Sequence, residues 1–380
     1  MPDYTIDLLK QLVAIDSVNP SLVPGAAGEA AIARALAESL RSAALSVEIQ
    51  EVVPGRPNVI GTLTGRAPGR SLMFCGHIDT VGVAGMTRPF DPVERDSRVY
   101  GRGSQDMKSG IAAMIGAAHA IATSGGLDAG SIVIACVVDE EHASIGAEAL
   151  VTRFRADGAV VTEPTDLAVA VAHKGFEWVE VETEGRAAHG SRPRDGRDAI
   201  LRMGRVLHEL EALDRSLQAG RSHALLGSAS LHASLIEGGR ELSSYPDRCA
   251  LQIERRTIPG EAAGSAGREV ENILSRLRTQ DAEFKAASRV MFHRSPYEID
   301  ADHELPALLA SSAATAGVTA PIIGMSFWTD AAILGDAGIP SVLFGPAGSG
   351  LHSLEEWVEI DSVMKCRDAL MNLARVFTVR

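Results

Sequence analysis

The stretch that most constrains this chain is SLMFCGHIDT, residues 71–80. Its apolar run (Leu72, Met73, Phe74, Cys75) stops at Gly76, and His77 and Asp79 follow two residues apart. A short continuous apolar run closed by a glycine reads as a buried strand of a parallel sheet, with a sharp turn at its end. Open α/β sheets hold their ligands just past the carboxyl ends of such strands. His77 suits a divalent cation, and Asp79 is placed to hold the other ring nitrogen and fix the tautomer. A loop histidine beside a capping aspartate is the plainer alternative, so the weight falls on whether the pattern recurs.

It recurs along the chain. SIVIACVV (131–138) runs straight into Asp139, Glu140, Glu141 and His142. Adjacent acids repel one another unless a cation or solvent offsets them; a solvated acidic loop is the simple reading, and a metal-plus-base role the preferred one. Residues 159–161 form a short strand that delivers Glu163 ahead of Pro164, and residues 340–344 deliver a glycine-rich turn (345–350) and then His352. In VYGRGSQDMKSG (99–110), Gly101 and Gly103 mark a tight loop before an apolar helix over 111–122. Asp106 stands at that junction, where it could also serve as an N-cap. His119, on the helix itself, reads as a core or boundary histidine. A His, Asp or Glu thus follows each of these runs or loops, at what should be one edge of one sheet.

The flanking segments fit this frame. Apolar spacing predicts helices over 4–15 and 28–45, strands over 47–53 and 58–64, and a loop region over 81–98. The middle changes character: 177–184 (EWVEVETE), 229–236 and 249–256 alternate apolar and polar, and 196–213 and 263–277 read as helices. This is the pattern of a separate α+β unit. Glu163 precedes it and His352 follows it, so the simplest topology inserts it into the larger domain. Residues 1–173 and 294–380 then form a mixed-sheet α/β catalytic domain, and 174–293 the inserted one.

Composition narrows the function. A formal charge of −13 argues against a nucleic-acid partner, which would require a basic face. No apolar run reaches the ~18 residues of a membrane span, and the opening MPDYTIDLLKQLVAIDSV lacks the basic start and long apolar core of a signal peptide. The four cysteines (Cys75, Cys136, Cys249, Cys366) are far apart and form no C-x-x-C, as expected for reduced thiols in a cytoplasmic protein.

With these residues in hand, the chain resembles the M20 metallopeptidase family, which includes acetylornithine deacetylase, succinyl-diaminopimelate desuccinylase, aminoacylase and glutamate carboxypeptidase. The matching stretches are GHIDT (76–80), GRGSQDMKSG (101–110), DEEHASIGA (139–147), TEPT (162–165), RAAHGSRP (186–193), ERRTIPGE (254–261) and GSGLHSLEEW (348–357). They occur in family order and span nearly the whole chain. The resemblance implies two divalent ions, zinc or cobalt, with manganese a further candidate. Asp106 would bridge them, His77 and Glu163 would complete one, and Glu141 and His352 the other. Asp79 would orient His77. Glu140 would be the general base, and His189, from the inserted domain of a partner in a homodimer, the oxyanion donor. Arg256, rather than Arg255, would bind a substrate carboxylate, with backbone N–H groups around Gly350 assisting. The implied reaction is hydrolysis of the amide of an N-acyl amino acid. An exopeptidase acting on short peptides is the nearest rival, and a non-catalytic carboxylate-binding relative a more distant one.

Two departures bear on substrate. Where deacetylases of this group often carry Asn in a GGxxxN stretch, this chain has Ser243, a shorter side chain with one donor. Near residue 328 the stretch reads SFWTDA, so Phe327 and Trp328 would line the pocket with aromatic rings and favour a larger apolar group. No G-x-S-x-G elbow and no H-E-x-x-H motif is present, which argues against a serine hydrolase and a zincin.

Overall fold

The computed structural model describes residues 3–379. The strand anticipated at 71–80 is Ala67–His77, and it lies in the middle of a mixed sheet. In that sheet the strands run in the order Ser46–Val53, Arg56–Thr64, Ala129–Val137, Ala67–His77, Gly158–Val161, Ser341–Leu343, Val169–His173. Ala67–His77 pairs in parallel with Ala129–Val137 on one side and Gly158–Val161 on the other, and Ser341–Leu343 extends the parallel set. The outer strands are antiparallel. The four parallel strands are the short apolar runs, and their inner residues are fully buried, because helices cover both faces of such a sheet.

Two compact units divide the chain: one comprises the chain up to Val171 with Ile299–Ile323 and Thr329 onward, the other Ala172–Glu298 with Gly324–Trp328. In the larger unit, Lys108–Thr123 and Ile360–Thr378 pack on each other and on the sheet, and Tyr4–Val13 packs against both helices. The region expected to be loop over 81–98 contains Val93–Arg95, which with Arg98–Tyr100, Trp357–Glu359 and Gly348–Ser349 forms a small second sheet.

The smaller unit is a four-stranded antiparallel sheet in the order Ser230–Gly238, Arg248–Thr257, Gly175–Glu184, Lys285–Arg294. Helices Ala199–Ala219 and Ser265–Gln280 cover one face, closing a core of Val179, Val181, Met203, Val206, Leu251, Ile253, Val270 and Leu274. The alternation in 177–184 is the signature of this half-covered sheet: Val179 and Val181 face the helices, and Trp178, Glu180 and Glu182 the other side. The unit also takes in Gly324–Trp328, which a simple insertion at 174–293 assigns to the larger domain. The reason is local: Lys174 donates its N–H to Met325 O (3.2 Å), and Gly324 lies against Leu225 and Leu226. All four cysteines are free and buried. Among the described residues, no helix is long and apolar enough to cross a membrane.

Candidate metal centre and active site

Parallel packing puts the carboxyl ends of four strands side by side, and the larger unit gathers its imidazoles and carboxylates there. His77 ends its strand. Its Nδ1 lies 3.0 Å from the backbone oxygen of Asp79, and its Nε2 3.0 Å from Asp106 Oδ1 and 3.9 Å from Glu163 Oε1. His352 Nε2 lies 3.1 Å from Glu141 Oε2 and 3.4 Å from Asp106 Oδ2. Two groups of potential metal donors result, His77–Asp106–Glu163 and Asp106–Glu141–His352, each with ligand atoms within 4.8 Å of one another. Asp106 belongs to both and turns one carboxylate oxygen toward each.

The local structure explains these placements. Asp106 is not an N-cap: the cap position of the Lys108–Thr123 helix is Met107, which leaves the Asp106 carboxylate free to face the two imidazoles. That helix approaches the Glu163 strand end so closely that a Cβ on Gly110 would stand 2.1 Å from Thr162 O. His352 has a positive φ of 58° and follows Gly350, whose φ is 96°. A Cβ on Gly350 would meet Glu355 O at 1.9 Å, so the turn that aims His352 requires glycine there.

The role of Asp79 is broader than its spacing suggests. Its carbonyl, closer than its carboxylate at 3.6 Å, accepts from His77 Nδ1 and leaves Nε2 for the site. The carboxylate accepts the backbone N–H groups of Glu140 and Glu141 (both 3.2 Å) and Asn19 Nδ2 (2.7 Å). Asn19 also donates to Asp139 Oδ1 (3.0 Å), and Arg56 bonds the same oxygen (2.8 Å) while clamping buried Glu29 with Nε (2.8 and 3.1 Å). A buried network of Glu29, Arg56, Asp139, Asn19 and Asp79 thus holds the turn that carries Glu140 and Glu141. Asn19, Glu29 and Arg56 have no motif of their own in the sequence. The only hint is a charged pair embedded in otherwise apolar surroundings.

The electrostatics are those of a site rich in negative charge. Burial pushes the Glu140 and Glu163 carboxyls well above the usual range, and nearby acids push in the same direction. Burial likewise raises Glu141, helped by Asp106. Burial opposes charge on His77, but hydrogen bonds to Asp106 and Asp79 override it and raise its pKa. The bonds to Asp106 and Glu141 raise His352 to about 10. Burial works against ionised Asp106 too, yet the two imidazoles hold its pKa low. One oxygen of Glu141 is buried with no hydrogen-bond partner. Carboxylate oxygens and imidazole nitrogens in this arrangement are a donor set that fits borderline divalent cations, so the residues present suit two such ions.

The other expected site residues lie in the smaller unit. His189 is exposed, with Nδ1 2.8 Å from Ser191 Oγ. Its loop pairs with the Ser243 segment: Gly190 N donates to Ser243 O (2.7 Å) and Tyr245 N to Ala188 O (2.9 Å). Arg256 donates to Glu254 (2.6 Å), lies 5.4 Å over the Phe176 ring and remains partly exposed. Arg255 is fully buried and held by Glu261 and Glu269. Trp328, expected as a pocket wall, is 9% exposed, donates Nε1 to Ser295 O (3.1 Å) and stands edge-on to His173 and Phe176. His119 stacks on Tyr4 with centroids 4.1 Å apart, the boundary role expected of it.

A donor set of this kind past the ends of parallel strands places the protein among hydrolases of the metallopeptidase class. Comparison with known proteins narrows that to one family: the description "Peptidase family M20/M25/M40" matches residues 73–376, and the chain belongs to it. It is 30% identical to an acetylornithine deacetylase of Myxococcus xanthus, over 87% of this chain and 88% of that one. It is 28% identical to the N-formyl-4-amino-5-aminomethyl-2-methylpyrimidine deformylase of Bacillus subtilis (strain 168), over 95% of this chain and 91% of that one. A tripeptidase from Staphylococcus aureus shares the fold with a TM-score of 0.82, covering 98% of each chain at 21% identity.

Proposed function

We propose that this enzyme hydrolyses the amide bond of an N-acyl amino acid with two divalent ions, zinc or cobalt. The observation that carries this reading is the pair of donor groups sharing Asp106. His77 and Glu163 complete one group, and Glu141 and His352 the other. Ions held there would bring the pKa of a water toward about 7 and polarise the scissile carbonyl. Glu140 takes the proton of the attacking water and passes it to the leaving amine. Its own N–H donates to Asp79, which anchors the turn that carries the carboxylate. Arg256, its guanidinium oriented by Glu254 and Phe176, is the proposed anchor for the substrate carboxylate, and Ser243 and the turn at Gly350 are proposed to contribute to substrate binding.

The deacylase reading draws support from the deacetylase and deformylase relatives at 30% and 28% identity. We further infer a homodimer in which the smaller unit's His189 serves the partner's site as oxyanion donor. The open edge of the Ser230–Gly238 strand supports it: Leu235 is 65% and Ile236 56% exposed there, and an unpaired apolar edge favours pairing with another chain. Four buried free cysteines agree with a reducing, cytoplasmic setting.

The test is amine release from a panel of N-acyl amino acids, dipeptides and tripeptides by zinc- or cobalt-loaded protein, with Glu140→Gln alongside. Turnover of N-acyl amino acids that collapses in the variant supports the reading. Turnover of the peptides alone makes the enzyme an exopeptidase, and no turnover on any member with both ions bound overturns the proposal.

A further inference from the structure

We propose that Glu356 is a positioning residue for the metal centre: its single buried carboxylate sets where Asp106 stands relative to His352. The inference rests on the reading of Asp106 and His352 as metal ligands.

Glu356 lies four residues after His352 and is 1% exposed. Its Oε1 accepts the backbone N–H groups of Gln105 (2.8 Å) and Asp106 (3.0 Å). Its Oε2 accepts Gly103 N (3.0 Å) and Arg102 Nη1 (2.7 Å). Its backbone oxygen accepts Gly101 N (3.1 Å). The loop from Gly101 to Asp106 is therefore wrapped around one residue of the His352 segment. Arg102 tightens the join by donating Nη2 to Ser353 O (3.0 Å) and to Gly82 O (3.1 Å).

Among the described residues, the hydrogen-bonding groups against the Asp106 carboxylate are the two imidazoles, and no backbone N–H holds it. Its position is consequently set by its backbone, and its backbone N–H is held by Glu356. His352 is tied to the same carboxylate through its own chain: Trp357–Glu359, directly after Glu356, pairs with Arg98–Tyr100, directly before the loop. One carboxylate thus sits where two ligand-bearing loops meet.

Four converging N–H donors require a carboxylate. Two oxygens with about four lone-pair directions can accept four N–H donors, whereas a glutamine amide offers one oxygen and turns an NH₂ toward the rest. Aspartate keeps the charge but is one methylene too short to reach the whole loop.

The experiment compares wild type, Glu356→Gln, Glu356→Asp and Asp106→Asn as intact chains. Circular dichroism and the thermal midpoint report folding. Cobalt(II) titration with a competing chelator reports affinity and stoichiometry, and the visible cobalt spectrum reports ligand geometry. We expect wild type to take up two equivalents and Asp106→Asn to lose that uptake. Glu356→Gln should stay folded, bind cobalt about 10–100-fold more weakly and show an altered spectrum, with Glu356→Asp intermediate. A carboxylate that merely packs would lower the thermal midpoint and leave affinity and spectrum unchanged. That result in a folded Glu356→Gln, or in Glu356→Asp should the former not fold, overturns the proposal while the metal site stands. Failure of wild type to bind two equivalents overturns the dinuclear reading and this proposal with it.

Discussion

At the scale of single residues, the proposed mechanism separates groups that react from groups that hold. Glu140 stands just past a strand end in neither donor group, its turn pinned by Asp79. Replacing it with glutamine should cost about 10²–10⁴ in kcat while cobalt uptake is kept, a contrast that a ligand variant cannot produce. His173, in the smaller unit, offers a pH test of stability. Burial lowers its pKa from 6.5 to about 4, and Nε2 is buried without a partner. The unfolded chain takes up this proton near pH 6.5, whereas the folded chain resists it until about pH 4. Its contribution is therefore complete above pH 6.5 and is lost as pH falls through that window, by up to about 3 kcal/mol. His173→Asn should flatten the acid limb of a denaturation-midpoint profile between those values; an unchanged limb would show that other groups govern it.

Elements position the site through close approach and buried charge. The Lys108–Thr123 helix can bring Asp106 beside Glu163 because Gly110 has no Cβ to strike Thr162 O. Gly110→Ala should destabilise the fold by about 1–3 kcal/mol and weaken metal binding together. Loss of stability with undiminished affinity would separate the two. The Glu29–Arg56–Asp139 network acts on the neighbouring turn. Arg56→Met strands two buried carboxylates, and chemical denaturation should register a loss of about 3–5 kcal/mol. Adding Glu29→Gln should recover part of it, since one of the uncompensated charges is then gone. These partners are hard to read from sequence because they are distant along it: Arg56 and Asp139 are 83 residues apart, and Glu356 and the Asp106 N–H 250. Hydrophobic period predicts a strand from its own residues, but a buried ion pair is defined only once two elements meet.

At the scale of the whole molecule, the proposed dimer makes two separate claims. A lysine at Ile236, on the open strand edge, should shift the protein toward monomer in size-exclusion chromatography without lowering its thermal midpoint by more than a few degrees. If His189 acts on the partner's site, mixing His189→Ala with Glu140→Ala subunits should restore activity. Random reassortment makes about half the dimers mixed, each with one complete site, so roughly a quarter of wild-type turnover should return. No recovery after demonstrated subunit exchange would place His189 outside the partner's chemistry.

The sequence by itself determined the parallel sheet and the donors beyond its strand ends. Buried strands such as 131–138 must be apolar throughout, and a polar residue can follow only where the strand leaves the core. His77, Glu141, Glu163 and His352 therefore announce themselves by position. It also determined the half-covered sheet of the smaller unit, whose alternation is a direct image of one face packed and one open. Tertiary structure alone decided which groups meet. It set His173, Phe176 and Ser295 around Trp328 from other segments. It assigned Arg255 to a buried ion network and left Arg256 accessible, although the two are adjacent, because successive residues of a strand face opposite sides of the sheet. And it made Glu356 the meeting point of two loops, a role that exists only where distant backbone N–H groups converge on one carboxylate.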